Sequence, residues 1–260
     1  MTTPPAHPSL SDVRAVTSLL GNSQRKEAEA LKILRQHLAS NPGYVAWSGG
    51  RDSTAALLLA ITVEPRIPVV WFHSGLEYPE TESYIAGLAE RLKLNLHVIH
   101  AEPDALTLLK ETGAWDHGAP LISSETNIHE ALVTNPSQKA HALFGQGEVS
   151  GLRADESRGR RLLLSKGRGV YARKDGSQVV CPVWRWTAEE ISGFLHRKDI
   201  PENPVYEKLA SLGAPALAQR VGLIVDGNGV TMGRLTWLRA GWPELFASLS
   251  RELPRLREWR

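Results

Sequence analysis

Apolar positions recur along this chain in two rhythms, and their alternation predicts the architecture. From about 24 to 40, Ala28, Leu31, Ile33, Leu34 and Leu38 fall at mostly helical spacing with charges between them. Asn41-Pro42-Gly43 ends that helix and launches a first strand, Tyr44-Val45-Ala46, and helical spacing resumes at 55 to 60. Pro68-Val69-Val70-Trp71-Phe72 is continuously apolar and reads as a second strand buried on both faces. A helix over 80 to 92, an alternating strand over 94 to 100, helices over 104 to 112 and 128 to 143, and a strand over 148 to 152 follow. Strands alternating with helices predict a doubly wound parallel sheet of the α/β class, covered on both faces. In such sheets ligands sit at the carboxyl ends of the strands. The segments 47 to 54, 73 to 75 and 151 to 153 all fall there.

Beyond Arg153 the rhythm changes. Val170-Tyr171-Ala172 and Val179-Val180-Cys181 flank Lys174-Asp175-Gly176-Ser177, a hairpin signal, and helices are predicted over 187 to 196, 204 to 212 and 243 to 253. The expected organisation is therefore a flexible N-terminal arm at 1–22, a nucleotide-binding α/β core at 23–165, and a hairpin with a mostly helical extension at 166–260. Composition narrows the function classes. The 260 residues carry 30 lysines and arginines against 28 carboxylates, and a net charge of +2 does not by itself indicate DNA or RNA as a partner. Cys181 is the only cysteine, which rules out a disulfide within the chain and suits a reducing cytoplasm. One thiol also rules out a chain-borne iron–sulfur cluster, which needs about four. No apolar run is long enough to span a bilayer, so no membrane association is expected.

The chemistry concentrates in Trp47-Ser48-Gly49-Gly50-Arg51-Asp52-Ser53-Thr54, set between a strand and a helix. Paired glycines let the backbone turn sharply and approach a ligand, and amides at a helix start favour an anion. Ser48, Ser53 and Thr54 add hydroxyl donors, and Asp52 offers an oxygen to hydrated Mg²⁺. The set suits a pyrophosphate, without the lysine of a Walker loop. Segment 72 to 81 places Gly75 for a tight turn and Pro79 at a helix start. Segment 151 to 161 packs Arg153, Arg158, Arg160 and Arg161 into nine residues after a strand, as fixed-charge donors for phosphate or sulfate. Thr187 with Glu190 forms a capping box, and the turn 201 to 206 reads mainly as structural.

Ser48-Gly49-Gly50-Arg51-Asp52-Ser53 resembles the pyrophosphate loop of the ATP pyrophosphatases, or adenine nucleotide alpha hydrolases. With 74 to 81, 151 to 158 and 182 to 206 in order, about residues 40 to 210 resemble the phosphoadenosine phosphosulfate reductase family. The resemblance implies a nucleotide with its phosphates on the first loop, held by Ser48 through Thr54, His73, Ser74, Gly75 and Gly151. It implies arginines at the phosphate or sulfate end. Two departures stand out. Reductases of the family use a cysteine near the C-terminus, absent here, and His73 stands where an acidic or amide residue often precedes Ser-Gly.

Three readings follow. The first is an enzyme that cleaves ATP between the α and β phosphates to adenylylate a substrate. Asp52, Arg153, Arg158 and Arg160 would carry the charge work, Asp52 would hold Mg²⁺, and any sulfur would come from a donor protein. The second is a phosphoadenosine or adenosine phosphosulfate reductase. The third is a catalytically silent nucleotide-sensing subunit of a DNA-modification or defence complex, with the basic stretch 153 to 174 facing phosphates.

Overall fold

In the computed structural model, residues 10–111, 129–222 and 234–258 are described. The first helix, α1 (Leu10–Ser40), starts twelve residues before the end of the expected N-terminal arm, so its backbone is helical from 10 to 22. The first part of that arm, 1 to 9, lies outside the described residues. Next come β1 (Gly43–Ala46), α2 (Arg51–Val63), β2 (Pro68–His73), α3 (Pro79–Leu92), β3 (Asn95–His100) and α4 (Ala105–Glu111). A π-helical turn (Glu130–Thr134) leads into α5 (Asn135–Phe144), then β4 (Gly147–Val149), α6 (Arg158–Gly167), β5 (Val170–Ala172) and β6 (Gln178–Val180). The chain closes through α7 (Ala188–Arg197), α8 (Pro204–Ser211), α9 (Arg234–Gly241) and α10 (Pro243–Glu252).

The strands form one sheet in the order β3-β2-β1-β4-β6-β5. Every pairing is parallel except β5 with β6. The order in which strands are added reverses at β1, where β2 lies on one side and β4 on the other, and that switch point is where a crevice opens. Because successive side chains alternate between faces, Val45, Val69, Trp71, Val149 and Val180 point to one layer, where Leu34, the leucines of α2 and Ile191 of α7 close the core. Tyr44, Val70 and Ile99 point to the other and meet Ala140 of α5. Ser53 through Ala60 of α2 are all buried, so that helix reads as nearly all apolar rather than amphipathic.

Two expectations change. The hairpin does not belong to an extension, because β6 pairs with β4 in register Gly147↔Gln178 and completes the main sheet. The helical part after it packs mainly elsewhere: Val205, Leu209, Leu238 and Trp242 form a second cluster with Leu76, Tyr78 and Leu109 from the β2–α3 and α4 region. The segment 151 to 161, legible in sequence only as a cluster of arginines after a strand, forms a 3-10 turn (Ala154–Glu156) and the start of α6.

Candidate functional site

The loop leaving β1 is built from its own side chains. Gly49 adopts φ +72°, the left-handed region that favours glycine, and turns the chain toward α2. Ser53 Oγ accepts from Ser48 N–H (3.3 Å), lies 3.1 Å from Ser48 Oγ and donates to Gly50 O (3.0 Å). Thr54 Oγ donates to Gly50 O (2.9 Å) and accepts from the Trp47 indole N–H (3.0 Å), so this hydroxyl braces the loop from inside rather than facing a ligand. At the N-cap of α2, Gly50 has no side chain with which to cap the helix, and of the first-turn amides Arg51 N–H is met by Tyr206 OH.

The loop borders a cavity of about 560 Å³ at the switch point. Ser48, Gly50, Asp52 and Ser53 form one wall, Ser150 and Gly151 the facing wall, and Phe72, Leu132 and Val133 an apolar side. Gly151 sits so close to the phosphate loop that a Cβ there would lie 2.5 Å from Ser53 N and 2.6 Å from Ser53 Cα. Asp52 and Arg153 form an ion pair, with Nε 3.0 Å from Oδ1, in which the N–H is not aligned as a hydrogen bond. Burial pushes the Asp52 carboxyl up from its ordinary value, and the Arg153 charge opposes the shift. A cation beside this partly desolvated carboxylate is therefore favoured. One carboxylate beside a phosphate site is also the donor set that hydrated Mg²⁺ uses, so the residues fit that ion.

Arg153 Nη1 also donates to Trp186 O (3.1 Å), which anchors the side chain against the turn before α7. Arg160 lines the cavity and pairs with Glu156 one turn before it. Burial would raise the Glu156 carboxyl, but the Arg153 backbone N–H and the Arg160 guanidinium hold it below its usual value. Arg158 is exposed on the first turn of α6 and does not line the cavity. His73, Ser74 and Gly75 also lie outside the cavity lining. Glu77 organises that turn, accepting from Ser74 N–H (2.7 Å), Ser74 Oγ (2.6 Å) and Gly75 N–H (3.1 Å), while His73 Nε2 lies 3.3 Å from Glu82. Arg51 turns away from the cavity, its guanidinium 4.1 Å over the Tyr206 ring and 3.5 Å from Glu202.

Five residues to which the sequence assigned no site role belong to this architecture. Asn203 Nδ2 donates to Gly49 O (3.3 Å) and Thr81 Oγ (3.0 Å), and Tyr206 OH accepts from Arg51 N–H (3.3 Å). The 201 to 206 turn thus ties α8 to the loop after β1. Deeper in the cavity, Arg173 donates to both oxygens of Glu148 (2.7 and 2.8 Å), and Tyr44 OH donates to Glu148 Oε2 (3.0 Å). Glu148, a carboxylate in the middle of the short strand β4, is the signal that could have found this buried pair. Cys181, at the end of β6, is fully buried, and burial pushes its thiol up to about 12.

Fold and cavity together define a doubly wound α/β protein with a glycine-containing strand–loop–helix turn at its switch point. The chain belongs to the phosphoadenosine phosphosulfate reductase domain family, whose model matches residues 43–220. It is 29% identical over 221 residues to the phosphoadenosine 5'-phosphosulfate reductase of Alkalilimnicola ehrlichii, covering 83% of this chain and 86% of that one. Among solved structures it resembles the phosphoadenylyl-sulfate reductase of Candida auris in its phosphate complex, at TM-score 0.54 and 17% identity over 82% of this chain and 96% of that one. The FMN adenylyltransferase of Candida glabrata, in complex with FAD and pyrophosphate, gives TM-score 0.51 and 14% identity over 72% of this chain and 61% of that one. At these identities the structural likenesses establish the fold alone. No described helix is long and apolar enough to cross a membrane.

Proposed function

We propose that the chain is an ATP pyrophosphatase of this family that adenylylates an acceptor. The observation that carries the reading is Asp52, a carboxylate in the first turn of an uncapped helix, lining the same cavity as the phosphate loop. The loop amides and Ser48 and Ser53 hold the β and γ phosphates. Asp52 holds Mg²⁺, which when bound neutralises phosphate charge. An acceptor oxygen forms a bond to the α phosphorus, the α–β bridging bond breaks, and pyrophosphate leaves with that electron pair as the acceptor proton passes to solvent. Arg153 and Arg160 stabilise the charge that grows on the leaving group. A second nucleophile then displaces AMP, and for sulfur transfer the sulfur comes from a donor protein.

The names of the relatives favour a second reading, reduction of phosphoadenosine phosphosulfate. That reaction, as the family runs it, needs a reactive thiol, and the one thiol in this sequence is buried with its ionisation suppressed. Incubation with α-³²P-labelled ATP and Mg²⁺ separates the two. Release of AMP and pyrophosphate is the expected result, with ADP absent. Formation of ADP overturns the α–β cleavage, and sulfite release from phosphoadenosine phosphosulfate with a thiol donor establishes the reductase instead.

A further inference from the structure

The charge of this chain is nearly balanced overall but not locally. Residues 153 to 174 hold eight lysines and arginines against two carboxylates, both of which lie before α6. On α6 and just after it, Arg158, Arg161, Lys166 and Arg168 are exposed, and none has a carboxylate partner among the described residues. Leu162 and Leu163 on the same helix are 68% and 44% exposed, and Leu164 alone on this helix is buried. An exposed helix that is basic and apolar at once has an unfulfilled surface.

The two ends of α6 meet two different concavities. Near its N-terminus, Arg160 lines the nucleotide cavity. At its C-terminus, Ser165, Gly167 and Arg168 line a second groove of about 900 Å³ against α1 and the segment 182 to 186. That groove adds the exposed cations Lys32 and Arg185, while Arg25 is paired with Glu29 at 3.9 Å, the one carboxylate among the described residues that line it. Lys26, also in the groove, is neutralised by Glu190 at 2.6 Å. Trp184 lines it as well, fixed against Gly169, where a Cβ would lie 2.4 Å from the ring, with the Arg185 guanidinium 5.5 Å from its centre. Ten residues of helix span about 15 Å, so the cations form a track from one concavity to the other.

We propose that this track binds a single-stranded nucleic acid, its phosphates on Lys32, Arg161, Lys166, Arg168 and Arg185 and its bases against Trp184, Leu162 and Leu163. Separated fixed cations interleaved with an aromatic and apolar surface are what a phosphodiester strand requires. An acidic protein surface would not use the aromatic floor of the groove. The cavity at the α6 N-terminus, at about 560 Å³, has room for a nucleotide-sized group and none for a duplex. The proposal stands independently of the ATP reading.

The test is fluorescence anisotropy of the full chain with a labelled oligodeoxythymidylate of about 15 nucleotides, across a salt series. The expected result is binding that weakens with salt. In the triple variant Lys32→Gln, Arg161→Gln, Lys166→Gln, affinity should fall at least about tenfold at low salt, and the slope of log K against log salt should shrink by about 2. All three side chains are exposed, and an unchanged melting temperature confirms folding. Lys93→Gln, on the exposed end of α3, should leave binding unchanged, and a duplex of equal length should bind more weakly. Undiminished binding by the triple variant, an equal loss in Lys93→Gln, or a tighter duplex overturns the proposal. Equal binding of a polyglutamate of matched charge also overturns it and assigns the track to an acidic protein.

Discussion

At the residue scale, two positions carry consequences that their sequence context only half displays. The glycine pair 49–50 was legible because glycines supply the left-handed turn at Gly49 and the close approach at Gly50, where a Cβ would lie 3.2 Å from Tyr206 OH. Gly151 was legible as a strand end and, through the family resemblance, as a residue near the nucleotide, but not in what it touches. Its constraint is a contact with Ser53, ninety-eight positions away, that no local pattern encodes. Gly151→Ala must push the β4 loop off the phosphate loop, because the obstructing atoms are backbone. A loss of about 1–3 kcal/mol in stability is expected, with nucleotide affinity reduced at least tenfold. Thermal unfolding and titration with ATP–Mg²⁺ check both, and wild-type affinity in a folded variant would remove Gly151 from the site. Cys181 follows β6 directly and precedes a proline, and it is fully buried. Cys181→Ala should keep full nucleotide turnover at a cost of roughly 1 kcal/mol. In the native protein the thiol should resist alkylation at pH 8, well below its pKa of about 12. Rapid labelling without unfolding, or loss of turnover on substitution, would return this thiol to the chemistry.

At the scale of elements, helices and strands with a clear period were readable, and elements held by distant partners were not. The predicted helix at 80 to 92 is found as Pro79–Leu92, and the predicted strand at 94 to 100 as Asn95–His100. The predicted helix at 187 to 196 is found as Ala188–Arg197 with its Thr187–Glu190 capping box. By contrast, α6 was hidden inside a cluster of arginines, because its one buried side chain, Leu164, leaves no apolar stripe to detect. The turn 201 to 206 announced a helix start but not its second task of gripping the phosphate loop through Asn203 and Tyr206. Asn203 is buried and bonded on both ends of its amide, to Gly49 O and Thr81 Oγ on one and to Val205 N–H on the other. Asn203→Ala should cost about 1–3 kcal/mol, since it strands buried polar partners. It should also raise KM for ATP more than it lowers kcat, because it loosens the loop without touching the reacting atoms. Steady-state kinetics beside thermal melts make the check, and an unchanged KM at reduced stability would confine Asn203 to scaffolding.

At the scale of the molecule, the doubly wound sheet followed from the alternation of strands and helices, whereas the edge did not. A hairpin pattern says that two strands pair with each other, and nothing in it says that one of them also pairs with β4. That placement brings Arg173 beside Glu148 and closes the deep end of the cavity, so the missed connection and the missed residues have one cause. The same burial sets a pH dependence for the whole chain. His37 and His141 are buried, their Nε2 atoms have no hydrogen-bond partner among the described residues, and burial lowers the pKa of each from 6.5. In the unfolded chain both titrate near their ordinary value, so below about pH 6.5 the unfolded state binds more protons than the folded one. Stability is therefore complete above that pH and falls as acid is added, well before the carboxylates titrate. Melting temperature should hold steady from pH 8 to 7 and decline from pH 6.5 toward 5.5. Replacing His141 by glutamine should flatten part of that decline, because glutamine takes up no proton in either state. A melting temperature that stays level down to pH 5.5 would mean that these imidazoles accept protons inside the fold, and that the sheet face around Tyr44, Glu148 and Arg173 admits charge more readily than its packing implies.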